Sequence, residues 1–127
     1  MDDVDVVASW RDLLARHAVT WCALERELGE KHGLGVSDFE VLDHMCESEH
    51  GKYRVQELAD VVHLSQSALS RLISRLEKAG LVCRDMCMQD RRGVFVTITD
   101  AGRARRAEAL PTHRAVLRSQ ALAPAPR

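Results

Sequence analysis

Aromatic side chains are scarce in this sequence, with two Trp, two Phe and one Tyr making 4% of 127 residues. So few rings, beside 46% hydrophobic and 29% charged residues, suit a helix-rich soluble protein. Paired C-x2-C spacing is also absent: Cys22, Cys46, Cys83 and Cys87 stand apart, which excludes a zinc ribbon or a redox dithiol. Free thiols are expected in a reducing cytoplasm; Cys83 and Cys87 would lie roughly 13 Å apart in extended chain, against the about 4.4 to 6.8 Å that a disulfide spans, so that pair could bridge only if the turn begins early. No hydrophobic run approaches membrane length, and the opening MDDVDVVASW carries acids where a signal peptide needs cations. A cytoplasmic location with no membrane partner is the expectation. Neither a Ser/His/Asp set nor metal-ligand spacing nor a phosphate-cradling loop is present, so no enzyme activity, cofactor or metal is expected.

Net charge is nearly absent as well, at −1, but its distribution is uneven. Residues 1–51 hold 4 Lys/Arg against 12 Asp/Glu, residues 52–106 hold 11 against 6, and residues 107–127 hold 3 against 1. An acidic first part joined to a basic second part implies that only the second faces a polyanion.

The most informative stretch is SQSALSRLISRLEKAG, Ser65 to Gly80. Leu69, Leu72, Ile73 and Leu76 recur at i, i+3, i+4 and i+7, the apolar stripe of an amphipathic helix. Ser67, Ser70, Arg71, Ser74 and Lys78 fall on the opposite side, which carries no acid. Ser65 reads as the N-cap and Gly80 as the glycine after the last turn. Hydroxyls and guanidinium groups bond phosphates and base edges, so this face fits a DNA major groove. A merely solvated face would select Glu and Lys over serine, a middling helix former.

Upstream, Val4 to Glu30 forms one long helical pattern. Val6, Val7, Trp10, Leu13, Leu14, His17, Ala18, Trp21, Leu24 and Leu28 cover about half of its circumference, wider than the stripe of an ordinary surface helix. This helix is expected to pack on a second copy of the chain. His17, between Trp10 and Trp21, reads either as a buried core histidine or as the wall of a pocket for an aromatic or anionic molecule. Cys22 reads as a small buried hydrophobe.

The segment HGLGV, His32 to Val36, breaks the pattern, and Ser37 to Glu40 reads as a capping box opening a helix to about Glu49. Residues 47–54 read as a polar loop. Val55, Leu58, Ala59 and Val62 then give a short amphipathic helix joined through His63-Leu64-Ser65 to the Ser65–Gly80 helix, the helix-turn-helix pattern. After Gly80 the period changes to two. Leu81 to Met86 and Val94 to Thr99 read as the strands of a hairpin whose tip holds Asp90, Arg91, Arg92 and Gly93. Such a wing places its arginines against the minor groove or phosphates, with Asp90 orienting a guanidinium; Cys87 reads as an exposed thiol, with an oxidation switch as the alternative. Thr99 or Asp100 caps a last helix interrupted by Pro111, and ALAPAPR reads as a disordered tail.

The order of a long first helix, the block ELADVVHLSQSALSRLISRLEKAGLV, the wing DRRG with Asp90 and Arg92, and ITDAG with Thr99 and Gly102 resembles the MarR (multiple antibiotic resistance regulator) family of winged-helix transcription factors, from about Trp10 to Gln120. The resemblance implies a mainly α fold with a small β-hairpin wing: a single domain with dimerisation helices at about 4–30 and 100–120 and a winged helix-turn-helix core at about 37–99. It also implies a homodimer that binds a palindromic operator, most simply as a repressor released by a small phenolic or anionic ligand. Carried onto this sequence, DNA contacts would come from Gln66, Ser67, Ser70, Arg71 and Ser74 and from Asp90, Arg91 and Arg92. The effector site would draw on Trp10, His17, Trp21, His44 and His113. The family continues into a further helix where this sequence has ALAPAPR, so dimerisation is expected to rest on the first helix and residues 100–120. The family's peroxide-sensing branch has a cysteine near the start of the first helix, where none stands here. A protein-interaction module or heterodimer partner reusing the winged fold without DNA is the alternative.

Overall fold

The computed structural model describes residues 2–86 and 94–120. Among them lie α1 (Asp3–His32), α2 (Val36–Cys46), β1 (Lys52–Arg54), α3 (Val55–Val62), α4 (Gln66–Lys78), β2 (Val82–Met86), β3 (Val94–Ile98) and α5 (Asp100–Ser119). Two compact units result: residues up to Val36 with those from Leu110 onward form one, and Ser37–Ala109 forms the other. No helix among the described residues is long and apolar enough to cross a membrane.

In the first unit, α1 begins where Asp2 accepts a hydrogen bond from the Asp5 N–H (3.0 Å), with Asp3 and Asp5 against the positive helix end. It ends at Gly33, whose φ of 66° only glycine adopts without strain. Glu25 then reaches from α1 to accept from the Val36 N–H at 2.9 Å. This carboxylate, not a Ser37 capping box, meets the start of α2; Ser37 lies inside the first turn, and the helix stops at Cys46 rather than Glu49. His32 Nε2 bonds Thr112 Oγ1 at 2.9 Å, tying the end of α1 to α5. α5 passes through Pro111 without the expected interruption, since a proline removes one backbone bond and the remaining turns hold the helix.

The side chains of α1 correct two expectations. Cys22 is exposed rather than a small buried hydrophobe, and His17 is exposed too, against the buried-core one of its two readings. So are Val6, Val7, Trp10, Leu13, Leu14 and Trp21. At 100° per residue these six and His17 share an arc of roughly 120°. Trp10 is 56% and Leu13 52% accessible, a contiguous apolar stripe left uncovered by the single chain.

In the second unit, Phe39, Leu42 and Met45 of α2, Leu58 of α3, Leu69 and Ile73 of α4, and Val82 and Val96 of the sheet are buried together. The apolar stripe read for the Ser65–Gly80 helix is the buried one. Residues 47–54 are not wholly loop: β1 pairs with β3 (Lys52 opposite Thr97, Arg54 opposite Phe95), giving an antiparallel sheet of order β1-β3-β2. The hairpin register runs from Val82 opposite Ile98 to Met86 opposite Val94. The hairpin-tip residues Cys87, Asp90, Arg91, Arg92 and Gly93, and the tail at 121–127, lie outside the described residues.

The Thr99-x-x-Gly102 pair has a physical role at the junction of β3 and α5. Thr99 Oγ1 accepts from the Gly102 N–H (3.0 Å) and donates to the Gly80 carbonyl (2.7 Å), while the Thr99 N–H bonds Leu81 O (3.0 Å). The cap of α5 is thereby joined to the end of α4. A Cβ on Gly102 would collide with the Leu81 carbonyl oxygen and lie 2.7 Å from Ile98 Cγ1. Gly102→Ala is therefore expected to destabilise by at least about 2 kcal/mol, overpacking outweighing the helix propensity gained. Urea unfolding with a lowered midpoint checks it; an unchanged midpoint would mean the junction gives way freely.

Candidate nucleic-acid interface

α3 and α4 meet through a turn in which His63 takes a left-handed φ of 58°, and Leu64 N–H closes back on Ala59 O at 3.2 Å. Ser65 Oγ caps α4 by accepting from the Ala68 N–H (3.2 Å). The far end closes with Gly80 at φ 79°, Gly80 N–H on Glu77 O (2.9 Å) and Leu81 N–H on Leu76 O (2.9 Å), the paired bonds of a glycine-terminated helix. Both ends are thus fixed, and burial of Leu69, Leu72, Ile73 and Leu76 fixes the rotation. Gln66, Ser67, Ser70, Arg71 and Ser74 are consequently all exposed.

Their surroundings differ. Arg71 makes no hydrogen bond or ion pair among the described residues, so its guanidinium is available to a ligand. Ser74 Oγ donates to Ser70 O (3.0 Å), which turns that hydroxyl back on the helix. Arg75, the next cation along, is held by Asp38 at 2.8 Å. Sequence reasoning missed Arg84 of β2, whose Nη2 donates to Ser70 O (2.9 Å) and Ser70 Oγ (3.3 Å). It also missed Lys52 and Arg54, whose charged ends stand 4.6 and 5.1 Å from the Phe95 ring centre. The alternation Lys52-Tyr53-Arg54 is the local signal that could have marked this strand, in a stretch that reads as loop.

The candidate effector residues fall in different settings. His17 and Trp21 stack with centroids 5.6 Å apart, and Trp10 is exposed on the same arc of α1. His113 is 3% accessible and its Nδ1 lies 2.7 Å from Arg114 Nη1. His44 belongs to α2 in the other unit, 3.8 Å from Glu47. The carbonyl of His44 accepts from the Tyr53 hydroxyl (2.9 Å), whose pKa is raised by burial and then by Glu47 and Glu57.

A model of the MarR family matches residues 39–94. AbsC, a MarR family transcriptional regulator from Streptomyces coelicolor, is similar at a TM-score of 0.82 and 35% identity, over 94% of this chain and 80% of that one. Sco3205, a MarR family regulator from the same organism whose crystal structure is a complex with DNA, is similar at 0.85 and 28% identity, over 94% and 75%. The HTH-type transcriptional repressor MdtR of Bacillus subtilis (strain 168) is 30% identical over 88 residues, 69% of this chain and 56% of that protein. The chain therefore matches little more than half the length of that relative. With a helix-turn-helix, a three-stranded wing sheet and a 35% identical relative matched across most of both chains, this chain belongs to the MarR family of transcriptional regulators.

Proposed function

We propose that the protein is a homodimeric, sequence-specific DNA-binding repressor released by a small ligand. The observation that carries this reading is the outward face of α4, where an amide, three hydroxyls and the unpaired Arg71 are exposed without an intervening acid. That set can donate to purine N7 and guanine O6, accept from amino groups and bond phosphates. The apolar arc of α1 supports a second copy as the partner, and two-fold symmetry then requires a palindromic operator with half-sites about 34–36 Å apart. The wing residues Asp90, Arg91 and Arg92 are assigned to backbone and minor-groove contacts. Trp10, His17 and Trp21 are assigned to the effector, with His44 and His113 as further candidates. A ligand that prefers the dimer state with wrongly spaced recognition helices lowers DNA affinity in proportion to that preference.

Selection of bound duplexes from a randomised pool tests the reading. An enriched inverted repeat is expected, and a pool without enrichment contradicts it. Against the selected operator, Arg92→Ala is expected to weaken binding by up to about tenfold for all sequences alike and to reduce the salt slope by about 1. A change confined to one base position would instead move Arg92 from phosphate contact to base reading.

A further inference from the structure

We propose that Arg84, outside the recognition helix, is a positioning residue that sets how Ser70 reads a base; the inference rests on the DNA-binding reading above. Arg84 is held at its backbone and at its guanidinium. Its backbone N–H donates to Glu77 Oε2 (2.9 Å), and its Nη1 lies 3.7 Å from Glu77 Oε1. Nη2 then bonds both the carbonyl and the hydroxyl oxygen of Ser70. Glu77 lies seven residues after Ser70, two turns along the same side of α4, so one carboxylate and one guanidinium brace the middle of the helix from β2.

The consequence is chemical. A hydroxyl has one proton to donate and two lone pairs, and here a cation occupies one lone pair of Ser70 Oγ. Its own proton makes no bond among the described residues, and repulsion by the guanidinium favours the rotor that turns it away, toward the exposed side of α4. Accepting from a cation also strengthens a hydroxyl as a donor and weakens it as an acceptor. Ser70 is thereby set to donate to purine N7, guanine O6 or thymine O4 rather than to accept from the amino groups of adenine or cytosine. Without Arg84 the hydroxyl rotates freely and accepts either partner.

Selection from a randomised duplex pool, followed by anisotropy on single-base operator variants, tests this with the wild type, Arg84→Met, Ser70→Ala and the double variant. Arg84→Met and Ser70→Ala are expected to relax discrimination at the same base position of each half-site by about 5- to 100-fold. The double variant should lose no more than either alone, and the salt slope should stay unchanged. Arg84→Lys keeps the charge but lacks the fork, so it is expected to show the same relaxation and serves where the Met variant does not fold. Selective wild-type binding with an unaltered Arg84→Met preference overturns the inference alone. So does a uniform loss with a salt slope reduced by about 1, which would make Arg84 a phosphate contact. A wild type that selects no sequence overturns this inference together with the DNA-binding reading.

Discussion

Leu13→Glu is expected to turn the protein from a dimer into a monomer and to lower operator affinity by about 100-fold or more, because the linked second half-site is lost. Leu13 is half exposed midway along the α1 stripe and at one edge of its arc, with Val6 and Trp10 before it in the chain and His17 and Trp21 after it. Glutamate is a good helix former, and an exposed substitution of this kind changes the stability of the single chain by only about 0.5 kcal/mol. Across a two-fold axis the same substitution buries two like charges in an apolar seam, where each lacks a partner. Sedimentation velocity at micromolar concentration, with helicity as the folding control, reads the outcome. A variant that remains dimeric would place the subunit contact away from this face of α1.

Arg71→Ala is expected to reduce operator affinity by about 10- to 100-fold and to relax base preference at one position of each half-site, the loss typical of a bidentate base contact. The guanidinium is exposed on α4 and unpaired among the described residues, so its removal leaves no buried orphan behind. Unfolding should therefore shift by no more than about 0.5 kcal/mol. The contrast with Arg75 is useful, since Arg75 is engaged by Asp38, a carboxylate whose side chain is only 16% exposed. Unchanged titrations of Arg71→Ala on operator and mismatched duplexes would displace α4 from its assigned role.

The helix-turn-helix was legible in the sequence because its signals are local. Ser65 as N-cap, Gly80 past the last turn and the stripe at Leu69, Leu72, Ile73 and Leu76 all act within one helix, and each reappears in the structure. What was hidden depends on partners distant in the chain. β1 has only three residues and exists through its pairing with β3, more than forty positions away. The start of α2 is met by Glu25, eleven residues upstream, rather than by the local box at Ser37. Arg84 could not be read as a partner of Ser70 because nothing in a strand's alternation tells which helix its side chain will meet. On α1 the apolar stripe was legible, but periodicity alone does not separate a buried face from one awaiting a partner; Cys22 was consequently expected to be buried, as was His17 in one of its two readings, and both are exposed.

The central claim is that this chain reads DNA through α4, and one titration addresses it most directly. The purified protein is titrated by anisotropy against the duplex upstream of its own gene and against an unrelated duplex of equal length, across a salt series. Tight binding to the first alone is predicted, with log affinity falling linearly in log salt by a slope that counts the phosphates neutralised. No binding to either duplex at low salt would contradict the account and favour a winged-helix module that binds protein instead.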